Sequence, residues 1–157
     1  MELNDFEKGY LTSITENAVF SITRNKASGN SIKKRYTYDP IIHYNFKDEL
    51  TLIKTSDCLK KINISHSIKK ILNKKRMHFE YRIDIGGIYN VHGLIEYLEV
   101  IENLQRPNIV YRYTKLRIEK LKISKKARYD MREIELYNEL FKINNPFSNI
   151  ERIECNG

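Results

Sequence analysis

Residues 77–85 alternate without a break. Met77, Phe79, Tyr81, Ile83 and Ile85 take every second position, and His78, Glu80, Arg82 and Asp84 stand between them. A period of two places the first set on one side of a strand and the second on the other. A strand with one apolar and one polar side belongs to an antiparallel sheet covered on a single face. That excludes a helical bundle and a parallel sheet buried on both sides, and it fixes what the rest of the chain must supply: partner strands, and helices for one face.

The flanking segments fit that demand. Asp5 is placed to cap a helix over about 6–17, with Phe6, Tyr10, Ile14 and Asn17 at helical spacing. A strand over 19–25 follows, then a basic loop with Gly29-Asn30 at its bend, then a strand from Tyr36 to Phe46 that Pro40 marks as an edge or a bulge. A helix is expected over 48–60, a weakly patterned strand over 64–72, and a basic turn from Asn73 to Arg76 before the alternating strand. After Gly86-Gly87, Asn90 is read as the cap of a helix carrying Val91, Leu94, Ile95, Leu98 and Ile101. Pro107 is expected to stop the connection, with two last helices over 110–123 and 128–143. The expectation is one α+β domain over 1–157, its core about 6–143 and its tail 144–157, with an antiparallel saddle and helices on one face.

Charge is unevenly spread along this plan. Residues 24–35, 60–76 and 112–128 together hold 20 of the 28 basic residues and one of the 20 acids. Segregated positive charge suits a polyanion, because each neutralised phosphate releases counterions. The candidate nucleic-acid contacts are therefore Arg24, Lys26, Lys33, Lys34, Arg35, Lys69, Lys70, Lys74, Lys75, Arg76, Arg112 and Lys115. Two cysteines, Cys58 and Cys155, make no disulfide framework and no metal-ligand spacing. His43, His66, His78 and His92 lie far apart and are read as surface residues, and Glu133, Glu135 and Glu139 as the solvated side of a late helix. No apolar run reaches eighteen residues, so no membrane partner is expected. The N-terminus, MELNDFEKGY, has neither a signal peptide's apolar stretch nor a transit peptide's arginines. The composition is rich in Ile, Asn, Lys and Tyr, residues of AT-rich codons, with 22 Ile against 3 Ala. Together these point to an organelle-encoded, mitochondrial protein.

The run GYLTSITENAVFSI resembles the signature helix and first strand of the LAGLIDADG homing endonucleases. Tyr10-Leu11 stands on the aromatic-Leu pair of that motif, Thr12-Ser13 on its small pair, Ile14-Thr15 on the Phe-Thr pair, Glu16 on its first acid, and Phe20-Ser21-Ile22 on the strand opening. Pro40-Ile41-Ile42, DELTLIKTSDCL and YRIDIGGIYNVHGLIEYLEVIE follow the family order. The resemblance implies the αββαββα fold, with the signature helix packed on a counterpart through Thr12, Ser13 and Asn17. It also locates a loss. The family's second acid, a ligand for divalent metal, falls on Asn17 or Ala18, because the motif is one residue short between Glu16 and Phe20. No metal site and no cofactor are therefore expected. The His92–Glu96 segment has similar letters but continues a helical stripe, and reads as a core helix.

The resemblance thus implies a nucleic-acid-binding protein that has lost cleavage, with structured RNA as its partner: a group I intron, for which it would be a maturase-like factor, or ribosomal RNA within an organellar ribosome or other RNA–protein particle. It would be a homodimer or a docked subunit. The alternative is an active homodimeric endonuclease cutting double-stranded DNA with Mg²⁺.

Overall fold

A computed structural model describes residues 2–26 and 35–147 of the chain. The elements are α1 (Asp5–Glu16), β1 (Val19–Lys26), β2 (Tyr36–Phe46), α2 (Glu49–Lys61), β3 (Ser67–Asn73), β4 (His78–Gly86), α3 (Ile88–Tyr97), a short 3₁₀ turn (Glu99–Asn103), α4 (Gln105–Ile123) and α5 (Met131–Asn144). The strands form one antiparallel sheet in the order β1-β2-β4-β3. Helices cover one face of it, as the alternation of residues 77–85 requires. No helix among the described residues is long and apolar enough to cross a membrane.

The core lies between that sheet face and the helices. Phe20, Ile22, Tyr38, Ile42, Tyr44, Ile83 and Ile85 come from the strands, and Leu11, Leu59, Val91, Leu94, Ile95, Ile109, Val110, Ile134 and Leu140 from the helices. Buried hydroxyls inside it find partners, as burial requires. Thr15 Oγ1 lies 2.8 Å from the Tyr44 hydroxyl, and Tyr113 donates to the Tyr38 carbonyl at 2.5 Å.

Several local readings are corrected. Asn4, not Asp5, caps α1, in a reciprocal box with Glu7. Gly87, at φ 90°, leads into α3, and Asn90 instead bonds Ser65 N and Gly86 O across the loop. The α3 stripe stops at Tyr97, so Ile101 reaches the core from the 3₁₀ turn. Pro107 does not stop a connection. It is the third residue of α4, where a missing N–H breaks no helical bond. Pro40 lies in a central strand, in regular register with Ile22. The ladder to β4 starts only at Ile41, so the proline has a neighbour on one side alone. Met77 and Phe79 are exposed despite their place in the apolar alternation, and Glu133 is buried despite its charge.

Candidate nucleic-acid interface

Cross-strand register decides which side chains share the uncovered face, because directly paired residues point the same way. Val19, His43, Asp84 and Ser67 form one row across the sheet, and Asn45, Arg82 and Lys69 the next. Thr23 with Asp39, and Asn25 with Thr37, extend the face toward the first hairpin. Ile71 with Glu80, and Asn73 with His78, extend it toward the second. The face is mostly polar, with Val19, Ile41 and Ile71 as its apolar members.

At its centre Asp84 gathers a histidine, a lysine and an arginine. His43 Nδ1 lies 2.5 Å from Oδ1, and Lys69 Nζ lies 2.9 Å from Oδ2. Arg82 donates to Oδ2 through Nη2 at 3.1 Å; its Nε approaches Oδ1 at 2.8 Å without hydrogen-bond alignment. Burial alone would raise the Asp84 carboxyl's pKa, but the bonds from Lys69, His43 and Arg82 outweigh it and hold the group below its ordinary value. The carboxylate is 7% exposed, while Lys69 is 51% exposed. The cluster carries a net positive charge, with the negative group beneath and the cations outward. His43, Arg82 and Asp84 were absent from the sequence-based site. Arg82 and Asp84 were visible as alternating polar residues, but His43 joins them only through strand register, which no local pattern encodes.

The hairpins turn at opposite ends. The β1–β2 ladder runs out to Lys26 opposite Tyr36, and the β3–β4 ladder to Asn73 opposite His78. At ~3.3 Å per residue the two ladder ends stand about 40 Å apart. Lys74, Lys75 and Arg76 occupy the second turn, where Asn73 Oδ1 accepts from the N–H groups of Lys75 and Arg76. At the other end Arg35 is exposed at the mouth of the first hairpin; Lys33 and Lys34 lie outside the described residues.

The remaining basic candidates do not join this face. Arg24 pairs with Tyr38, Lys26 with Tyr36 and Lys70 with Tyr81, so all three point to the helix side. Arg24 stacks over Tyr36 at 4.3 Å. Arg112 and Lys115 line a groove of about 500 Å³ between α4 and α5, together with Arg132 and the acids Glu119, Glu135 and Glu139. Its balanced charge does not select a polyanion. Arg117 and Lys120 turn inward to Glu133, leaving Lys122, Lys125, Lys126 and Arg128 exposed. The basic segment 112–128 therefore divides among three environments. The histidines divide too: beyond His43, His66 bonds Ser56 and His92 bonds Thr114 while stacking on Tyr111, so these three are partly buried and tied in.

The base of α1 opens beside the open face, two residues before Val19. Glu16 is exposed at the helix end. Asn17 is the C-cap, its side-chain amide donating to Ser13 O at 3.3 Å. Ala18 offers no donor. These three positions of the one chain bring a carboxylate, an amide and a methyl, whereas a hard divalent cation takes several oxygens and favours charged ones. Among the described residues no three His, Cys, Asp or Glu side chains converge as metal ligands. On the outer side of α1, Ser13 and Asn17 are exposed in line with Gly9, and half-buried Thr12 bonds its own helix at Lys8 O.

No family model matches this sequence. No curated protein matches it either. Solved structures do. The archaeal intron-encoded homing endonuclease I-Vdi141I, complexed with DNA, superposes with a TM-score of 0.63 at 15% identity, covering 96% of this chain and 90% of its own. The group I intron-encoded homing endonuclease I-CeuI, also complexed with DNA, gives a TM-score of 0.65 at 13% identity, covering 96% and 73%. The LAGLIDADG meganuclease I-AabMI, bound to uncleaved DNA, gives 0.60 at 18% identity, and this chain spans 98% of itself but 52% of that protein. From the strand order, the single covered face and these superpositions, the chain has the LAGLIDADG homing-endonuclease fold.

Proposed function

We propose that this protein binds nucleic acid along its open sheet face and has lost metal-dependent cleavage, and that its partner is structured RNA. On this reading it acts in mitochondria as a maturase-like factor for an intron or as a subunit of an RNA–protein particle. The carrying observation is one juxtaposition: a polar face with Lys69, Arg82 and His43 at its centre and a basic turn at its end, beside a helix base that carries Asn17 and Ala18. I-Vdi141I and I-CeuI are complexed with DNA, which supports a nucleic acid on the same fold here. RNA is favoured because loss of cleavage removes the use of a DNA target site.

The test measures binding and cleavage together. The protein should bind structured RNA with no breaks in RNA or duplex DNA in Mg²⁺ or Mn²⁺. Changing Lys69→Gln and Arg82→Gln keeps donors for Asp84 while removing two charges. It should lower the slope of log K against log salt by about 1.5, two contacts at roughly 0.7–0.9 each. Duplex breaks with a four-base stagger, abolished by Glu16→Gln, would sink the claim of lost cleavage.

A further inference from the structure

β2 ends at Phe46, opposite Tyr81, whereas the β3–β4 ladder continues to Asn73 opposite His78. The far part of that hairpin is a two-stranded ribbon projecting past the sheet. On its helix side Leu72 and Phe79 stand past the end of β2, with Lys70 and Tyr81 at its base and Met77 at the turn. Yet Leu72 and Phe79 are each 46% exposed and Met77 80%. Met77 also holds φ 53°, a backbone region that disfavours a side chain. The alternation that specifies a buried strand thus runs two residues beyond what the described chain buries.

The rim identifies what fits. Lys70 Nζ lies 4.2 Å from the Phe79 ring centroid and 5.9 Å from that of Tyr81. Lys74, Lys75 and Arg76 follow in the turn. The ribbon's one carboxylate, Glu80, is on the opposite face, holding Asn73 Nδ2 at 3.0 Å. An occupant must bring a flat apolar surface and negative charge together. An unpaired nucleotide does both: its base stacks on an aromatic ring, and its phosphate meets the cations. Bases inside a duplex stack on one another and cannot reach the ring.

We propose that the helix-side face of the β3–β4 ribbon binds unpaired nucleotides of a structured RNA, with Phe79 as the stacking platform and Lys70, Lys74, Lys75 and Arg76 as phosphate contacts. This rests on the nucleic-acid reading above and adds a second site on the other side of the sheet.

The test uses the full chain and an RNA hairpin with 2-aminopurine in its unpaired loop, beside the same sequence fully paired. Binding should change the fluorescence of the loop probe and leave that of the duplex unaltered. Phe79→Leu should abolish the change and weaken hairpin binding about 5- to 150-fold, the range for losing one stacked base, with no change in salt slope. Phe79→Trp should retain both signals, and the exposure of this position leaves the fold intact in either variant. If hairpin and duplex bind alike and Phe79→Leu alters neither fluorescence nor affinity, while Lys69→Gln/Arg82→Gln still weakens binding, the ribbon proposal alone is overturned. If Phe79→Leu instead changes only the sedimenting mass, the face is a protein contact and the proposal fails. Absence of any RNA binding overturns the parent reading as well.

Discussion

Glu133 is 1% exposed, and a carboxylate so placed must be met by cations. Arg117 Nη1 lies 3.0 Å from one oxygen and Lys120 bonds the other. Arg117 also donates to the Ala127 carbonyl and stacks on Tyr129, so one guanidinium joins α4, the following loop and α5. Removing one partner leaves a buried charge unanswered, at about 3–5 kcal/mol. Glu133→Ala should therefore lower the unfolding free energy by that amount in a denaturant titration; a loss under ~1 kcal/mol would show that the network does not hold the helices. Asp130, which caps α5, adds a pH signature. Burial works against its charged form, but bonds from Arg132, the Glu133 N–H and Lys120 prevail and bring its pKa from 3.8 to about 2. Its folded value is the lower one, so its contribution is complete above about pH 5 and lost as pH falls toward 2. Asp130→Asn should flatten that part of the acid stability curve.

At the scale of elements, α1 shows how one helix is read by two surroundings. Leu11 and Thr15 are fully buried against the sheet, and Gly9, Ser13 and Asn17 face outward. A Cβ built on Gly9 meets nothing within 4 Å, so the stripe has room for a close neighbour. If that neighbour is a second copy, as the LAGLIDADG resemblance implies, Ser13→Arg inserts bulk and an unpaired charge between two helices. The expected result is a normally folded chain whose light-scattering mass falls to that of a monomer. An unaltered mass with the fold intact would remove this face from any self-association. β2 makes a related point. Pro40 suits a strand margin, and a margin is what it finds, although its strand is central.

Across the whole molecule, the proposed polyanion contacts would span about 40 Å between the outer ends of the two hairpin ladders, at ~3.3 Å per residue. Affinity gathered this way is electrostatic and additive in salt dependence. Replacing Lys74, Lys75 and Arg76 with Ala should reduce the slope of log K against log salt by about 2 to 3, three contacts at roughly 0.7–0.9 each. The structure around them should survive, because Asn73 holds the turn through backbone N–H groups that alanine keeps. An unchanged slope would place the bound polyanion elsewhere on the surface.

Local pattern alone determined the elements and their order. Strand alternation, helical stripes and turn residues act over a few positions, so β4, α2, α5 and the uncovered sheet face were all legible before any contact was known. That positions 17 and 18 hold an amide and a methyl was equally plain, because it is a matter of residue identity. What only the tertiary structure decided depends on register and packing between distant segments. His43 meets Asp84 because β2 and β4 pair in one register out of several. Arg24, Lys26 and Lys70 leave the open face through strand parity, and Arg112 and Lys115 through the helix layer. Glu133 is buried because Arg117 and Lys120, about one helical turn apart on the facing helix, both reach it. Phe79 is half-exposed where the β3–β4 ladder runs on past the end of β2. Charge counted along a chain is one-dimensional, whereas a face is shared by residues that sequence separates, and only the ladder between strands says which ones.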